Sequence, residues 1–378
     1  MSESRPLRIM HVTRTPVGGI FRHILDVARG QAARGHLVGI LCDSTTGGER
    51  AEAALAAIAP EMKLGVHRVA ILRELSPTDL PGFLRVSRHL DEIGADVLHG
   101  HGAKGGAFVR LKGKSRAIRV YTPHGGSLHY PKHTLRGMVY SNLERILMRR
   151  SELLLFESAF ARDRYQSLVG KAACTVRVVP NGITAAEMVP VEPAAGAADI
   201  TYVGEFRRIK GTDILIDAIA LLHQGGRPVT AAIAGDGEES VALHAQVARL
   251  GLTNSIRFLG HVAPRQGFSA GRLMVVPSRG DSLPYVVLEA AGAGMPMVAV
   301  RVGGIPEVFG PGATLVPPED PAALAQAIAK AMDDPAAARA EAERVLERVR
   351  TLFSQDAMVE GVLAGYAEAR RVQILQAH

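Results

Sequence analysis

Residues 200–234 read ITYVGEFRRIKGTDILIDAIALLHQGGRPVTAAIA. A short apolar run ends in glycine, a polar turn follows, residues 212–222 repeat their apolar positions with helical spacing, and 229–234 is a second apolar run. Strand, crossover helix, strand is the repeating unit of a parallel sheet with helices on both faces. The pattern continues outward. Strands are expected at 256–259, 273–276 and 296–300, with a helix at 285–293. Before residue 189 the same alternation predicts strands at 8–13, 37–42, 97–99, 118–122, 153–156 and 176–179. Between the two runs lies VPVEPAAGAAD, residues 189–199, rich in Pro and Ala and without periodicity, which reads as a linker. The fold class is therefore α/β, with two tandem Rossmann-like doubly wound domains, 1–188 and 199–356.

The length of 378 residues and the 47% hydrophobic content support two globular cores. Two cysteines, Cys42 and Cys174, are too few for a disulfide framework or a cysteine-rich zinc site. A reducing, cytoplasmic setting is expected. No apolar run is long enough for a signal peptide or a membrane span, the longest being 290–300. Charge is uneven. Residues 1–180 hold 27 Lys+Arg against 15 Asp+Glu, and the remainder holds 17 against 22. Residues 101–150 alone carry eleven basic residues and one acid, Glu144. Such a field attracts polyanions. With no Trp, 4% aromatics and no helix-turn-helix or zinc-finger spacing, nucleic acid is the weakest candidate, behind a phosphorylated substrate or an anionic membrane; a plain solvated basic surface is the alternative.

In doubly wound sheets ligands bind beyond the carboxyl ends of strands, and the candidate residues fall there. Gly18 and Gly19 follow the first strand and precede a helix, without the G-x-G-x-x-G spacing of dinucleotide dehydrogenases. H-G-H-G-A-K-G-G places His99 and His101 after one strand, and Y-T-P-H-G-G places His124, Gly125 and Gly126 after another. Two histidines without a carboxylate or third histidine at a familiar spacing predict no metal site. In the second half, G-E-F-R-R-I-K-G puts Arg207, Arg208 and Lys210 between Gly204 and the next helix, where cations can clamp a diphosphate. P-S-R-G-D-S-L-P-Y-V-V-L-E then sets Asp281 and Glu289 eight positions apart, with Glu289 among apolar neighbours on a helix opened by Pro284.

Together with P-V-G-G, R-G-H at 34–36, V-P-N-G at 179–182, A-G-D-G at 234–237, F-L-G-H at 258–261 and V-G-G-I-P-E at 302–307, these motifs resemble retaining glycosyltransferases of family 4, which have the GT-B fold with a cleft between its domains. The resemblance spans essentially the whole chain and is nearest to bacterial exopolysaccharide, O-antigen and capsule enzymes. It implies that Glu289 holds the donor ribose, Asp281 touches the transferred sugar and Lys210 the diphosphate. Ser282, Leu283, Pro284 and Tyr285 would line the donor pocket. Asp281 stands where the family usually has Glu, and Glu205 where it has Arg, so Arg207 or Arg208 substitutes for that cation. Gly204, His261 and Val262 would face the nucleotide. Gly18 and Gly19 would approach the donor diphosphate and the acceptor, His124 would stand near the reacting sugar, and the loops carrying His99, His101, Gly125, Gly126, Gly303 and Gly304 would face the cleft.

The implied donor is a UDP- or GDP-sugar and the acceptor a glycan or a lipid-diphosphate-linked sugar, with no metal or other cofactor. Closure about 189–199 would shield the reaction from water. A C-terminal helix near 357–378 is expected to return to the first domain. Residues 134–150 set Leu135, Met138, Val139, Ile146 and Leu147 on one helical face beside Arg136, Arg145, Arg149 and Arg150, consistent with peripheral binding to the cytoplasmic face of an anionic membrane. The competing readings are a nucleotide-sugar 2-epimerase of the same fold and a non-catalytic nucleotide- or lipid-binding partner subunit.

Overall fold

β1 (Arg8–Thr13) sits in the middle of a seven-stranded sheet whose remaining members are β2 (Leu37–Asp43), β3 (Val66–Val69), β4 (Val97–His101), β5 (Ile118–Thr122), β6 (Leu153–Phe156) and β7 (Thr175–Val178). The order is β3-β2-β1-β4-β5-β6-β7 and every pairing is parallel. A second sheet of five parallel strands has the order β10-β9-β8-β11-β12, from β8 (Ala198–Val203), β9 (Ala231–Ala234), β10 (Ile256–Gly260), β11 (Gly271–Val276) and β12 (Met297–Ala299). These elements come from a computed structural model of the protein that describes residues 5–71, 79–113, 116–125 and 134–377. Each sheet reverses its winding once, at β1/β4 and at β8/β11. Chain connections diverge at such a point and open a crevice beyond the strand ends.

The chain forms two units, Met1–Asn181 with Gln355–His378, and Gly182–Ser354. The sequence reading placed the boundary within 189–199. The structure places it at Asn181/Gly182, because the segment after Asn181 already belongs to the second unit. Ile183 bridges Ser354, the Val191 amide donates to the Ala293 carbonyl, and the Ala194 amide donates to Ser269. The return crossing falls at Ser354/Gln355. The helix Gln355–Ala377 puts Met358, Val362 and Tyr366 into the core of the first sheet beside Ile9, Val120 and Leu155.

β3 was not expected from the sequence. Its residues are all half-buried and its only neighbour among the described strands is β2, so the continuous apolar signal of a central strand is missing. The glycines of H-G-H-G-A-K-G-G also differ from the strand-end loop expected. Gly102–Leu111 is a helix, and a methyl group on Gly105 would lie 2.3 Å from the Val12 carbonyl oxygen. These glycines let the helix seat on β1 and β4.

Part of the basic run is internal. Arg110 is fully buried and donates to Glu144 at 2.8 and 3.1 Å, with its guanidinium 3.7 Å from the centre of the Tyr121 ring. Tyr121 and Tyr165 donate their hydroxyls to the same carboxylate. Lys104 is buried, Lys112 is buried and paired with Asp91, and Arg119 pairs with Glu152 at 2.7 Å. The one acid of that run is thus the counter-charge of a buried cation. Removing one partner leaves an uncompensated buried charge. Glu144→Ala is expected to destabilise the protein by about 3–5 kcal/mol in urea unfolding; a change under about 1 kcal/mol would show that the network carries little.

Candidate active site

In the second unit, the loop after β8 and the loop after β11 meet at the reversal point. Gly211 ends the first loop at φ 69°, and a methyl group there would stand 2.1 Å from the Pro277 carbonyl oxygen. Only glycine permits that approach. The Arg279 amide donates to the Ile209 carbonyl, and its guanidinium grips Asp213 through two bonds of 2.7 Å while also donating to the Arg208 carbonyl. Arg279 went unrecognised in the sequence, although its place between Ser278 and Gly280 on a strand-end loop was the available signal.

On this frame Lys210 Nζ donates to Asp281 Oδ1 at 2.6 Å. Asp281 Oδ2 is buried and accepts from no described residue. A third loop closes against the same place. A methyl group on Gly303, at φ 57°, would stand 1.3 Å from the Asp281 carbonyl oxygen, and the Gly304 amide donates to the Ser282 carbonyl at 2.7 Å. Leu283, Pro284 and Tyr285 are buried, and Glu289 is 9% exposed on the helix Tyr285–Gly292. Gly204 packs on the Tyr202 hydroxyl. Lys210, Asp281, Ser282, Gly303 and Gly304 thus lie on three loops that meet at one strand-end position, and the helix that carries Glu289 opens directly after the second of these loops. Arg207 and Arg208 are exposed, and Arg207 lies 3.7 Å from Glu205. His261, exposed, and Val262, half-buried, follow β10 at the far edge of the sheet.

The first unit's reversal point is built from histidine. His99 and His101 are two apart on β4 and so share a face, and the β1–β4 register puts His11 opposite His99. His11 Nδ1 and His101 Nε2 are 2.9 Å apart, and His101 Nδ1 and His124 Nε2 are 3.0 Å apart. His99 bonds Tyr366 at 2.7 Å and Thr122 at 2.8 Å, while His23 bonds Asn181 at 3.0 Å. His99 and His101 were expected on a cleft loop. Both are buried strand residues, because β4 runs two residues further than the apolar run that announced it. Gly126 lies outside the described residues. Gly18 and Gly19 are exposed at the start of the helix Gly18–Ala33, which has no side-chain cap. His124 holds a left-handed backbone, φ 52°, the kind of strain that collects at functional sites.

The sequence showed no third histidine beside His99 and His101, and the fold supplies it. His11, His99 and His101 form one trio, and His23, His101 and His124 another, with one nitrogen from each ring within 4.8 Å of the others. Either trio has the ligand number of a three-histidine metal site. No carboxylate belongs to either trio. His11, His23 and Asn181 were missed because they are far apart in sequence; a lone polar residue inside the apolar run of β1 was the one visible sign of His11.

Burial holds all five rings neutral. It brings His11 down to about 4 and His124 to about 3, and it lowers His23, His99 and His101 well below 6.5. Their folded values lie below the unfolded one, so the unfolded chain takes up protons that the folded cluster refuses once pH falls below about 6.5. Stability is expected to drop progressively from about pH 6.5 toward about pH 4 in thermal unfolding. The drop should be less steep in His23→Gln, which removes one titrating ring; equal slopes would contradict the assignment.

A model described as "Glycosyltransferase Family 4" matches residues 17–187, and one described as "Glycosyl transferases group 1" matches residues 197–334. The 2-deoxystreptamine glucosyltransferase of Streptomyces kanamyceticus is 30% identical over 274 residues, 65% of this chain and 70% of that protein. The chain belongs to the family 4 glycosyltransferases. The family 4 enzyme is also 28% identical to the glycogen synthase of Mycobacterium tuberculosis over 387 residues, 94% of this chain and 92% of that one. Its fold is GT-B, as in Anabaena HepE solved in complex with UDP, with a TM-score of 0.80 at 21% identity over 96% of this chain and all of that one. Among the described residues no helix is long and apolar enough to cross a membrane.

Proposed function

We propose that this glycosyltransferase moves a sugar from a UDP-sugar to a glycan or lipid-diphosphate-linked acceptor of a bacterial surface polysaccharide, with retention of anomeric configuration and without a metal. The observation that carries the donor reading is the Lys210–Asp281 pair. It presents a cation suited to a diphosphate beside a buried carboxylate oxygen that lacks a hydrogen-bond donor among the described residues, which a sugar hydroxyl can supply. The relatives' names describe sugar transfer, and the HepE structure contains UDP.

On this reading Glu289 accepts from the ribose hydroxyls and the backbone at His261 and Val262 faces the base. Gly18 and Gly19 approach the donor diphosphate and the acceptor, and His124 stands near the reacting sugar. The bond from the anomeric carbon to the diphosphate oxygen breaks while the acceptor oxygen bonds to the same face of that carbon. The acceptor's proton passes to the departing phosphate. Lys210 and Arg207 or Arg208 stabilise the charge that develops on UDP, the task a metal performs elsewhere.

A thermal-shift panel of UDP- and GDP-sugars tests the donor, since a ligand that binds only the native state raises its melting temperature. UDP-sugars are expected to stabilise the wild type, and Glu289→Gln to abolish the shift. Lys210→Ala should cut kcat by about 100- to 1,000-fold, with the anomeric configuration of the product read by NMR. Stabilisation by no nucleotide sugar, or an inverted product, would overturn the proposal.

The membrane part of the proposal draws on the helix Leu135–Met148. Met138, Val139 and Ile146 are 47%, 54% and 60% exposed, and Arg145, Arg149 and Arg150 are exposed beside them. Leu147 faces the interior, so the apolar face is narrower than the sequence implied. The side chains of Leu135 and Arg136 lie outside the described residues. Sedimentation with anionic phospholipid vesicles is expected to bring down the wild type, and Val139→Asp/Ile146→Asp to weaken this by about tenfold; equal sedimentation would remove the helix from the account.

A further inference from the structure

One residue of the first unit has no part in the reaction as read above, yet it touches two separate hydrogen-bonded chains. Gln31 is fully buried near the end of the helix Gly18–Ala33. Its Oε1 lies 2.9 Å from His11 Nε2, and its Nε2 donates to the Tyr366 hydroxyl at 3.4 Å. An amide oxygen only accepts. His11 therefore carries its proton on Nε2 and presents a lone pair at Nδ1. His101, 2.9 Å away through Nε2, must donate to it and so presents its own lone pair at Nδ1. His124, 3.0 Å away through Nε2, must in turn donate to His101. Each ring is neutral and owns one proton, so each step leaves one choice. The second chain has the same logic. Tyr366 accepts from Gln31, donates to His99 Nδ1, and leaves His99 to donate through Nε2 to Thr122.

We propose that Gln31 is a positioning residue that, acting through His11 and His101, fixes His124 with its proton on Nε2 and so keeps Nδ1 as a hydrogen-bond acceptor for a hydroxyl of the bound sugar. His23 reinforces the arrangement. Its Nδ1 donates to Asn181 Oδ1, its buried Nε2 is a lone pair without a partner among the described residues, and its ring stands edge-on to His124 with centroids 4.9 Å apart. A proton on His124 Nδ1 would instead turn the Nε2 lone pair toward the Nδ1 lone pair of His101. Among the described residues none bonds His124 Nδ1, and burial keeps the ring neutral, so the nitrogen accepts rather than donates at neutral pH. An ordinary solvated histidine exchanges between its tautomers. Here a glutamine two rings away selects one.

Long-range proton–nitrogen NMR of the histidine-labelled full chain reads the tautomer directly, with His124 assigned by its loss in His124→Gln. The wild type is expected to show a protonated Nε2 and an unprotonated Nδ1 on His124; a protonated Nδ1 would overturn the proposal. Gln31→Met removes the acceptor while keeping the bulk, and is expected to mix the two His124 forms. A Gln31→Met protein that folds with His124 unchanged would show that Gln31 does not select the form. If Gln31→Met does not fold, His11→Phe breaks the chain one link nearer and carries the same expectation. Zinc titrated into the wild type is expected to leave the ring signals in place, and stoichiometric binding that abolishes the Nε2 protons would overturn the assignment in favour of an ion site. The activity expectation, a fall in kcat/KM of about tenfold in Gln31→Met with the UDP-induced thermal shift intact, rests on the UDP-sugar reading above. The tautomer measurement does not, so failure of the one is distinguishable from failure of the other.

Discussion

The ion pair between Lys210 and Asp281 joins the loop that follows β8 to the loop that follows β11, at the one place in the second sheet where the winding reverses. Its geometry depends on backbone contacts that admit no side chain. Gly211 touches the Pro277 carbonyl and Gly303 touches that of Asp281. Arg279 ties the two loops together through Asp213 and the backbone of Arg208 and Ile209. Both charges are thus fixed before any ligand arrives. Such preorganisation is what makes a cation effective against charge that appears only during a reaction. The helix that carries Glu289 begins directly after the Asp281 loop, so the spacing of eight residues joins the strand end to the first turns of that helix.

The first unit's reversal point is held by neutral groups. At its own winding reversal, neutral imidazoles from β1, β4, the turn after β5 and the helix Gly18–Ala33 are bonded to one another and to amide and hydroxyl groups. Every ring has one donor and one acceptor, so order comes from assigning protons consistently across the cluster. The basic excess of the sequence contributes less than its count implies. Arg110, Lys104 and Lys112 are interior, while Arg145, Arg149 and Arg150 are exposed in the last turn of the helix Leu135–Met148 and just beyond it.

Much of this was legible in the chain itself. Alternating apolar runs and amphipathic segments located eleven of the twelve strands among the described residues, since a doubly covered parallel strand writes itself as a continuous apolar run. The edge strand β3 escaped for the complementary reason. The Lys210, Asp281 and Glu289 positions were readable because each follows closely on the end of an apolar strand run, which marks a strand-end loop even though Lys210 and Asp281 are themselves far apart in the chain. The histidine cluster was not, because His11, His23, His101, His124, Asn181 and Tyr366 are joined only by strand register and by the return of the last helix. The Pro- and Ala-rich 189–199 segment misled because composition reports the absence of regular structure, whereas its amides bond to Ala293 and Ser269 and hold it to the second unit.

The central claim is that the loops at the β8/β11 reversal receive the nucleotide sugar. Hydrogen–deuterium exchange of the full chain with and without UDP-glucose tests it most directly. Slowed exchange concentrated in 203–211 and 277–292, with the amino ends of β8 and β11 unchanged, is the result the account predicts. Protection confined to other segments, with those two stretches exchanging at the same rate in both states, would contradict it.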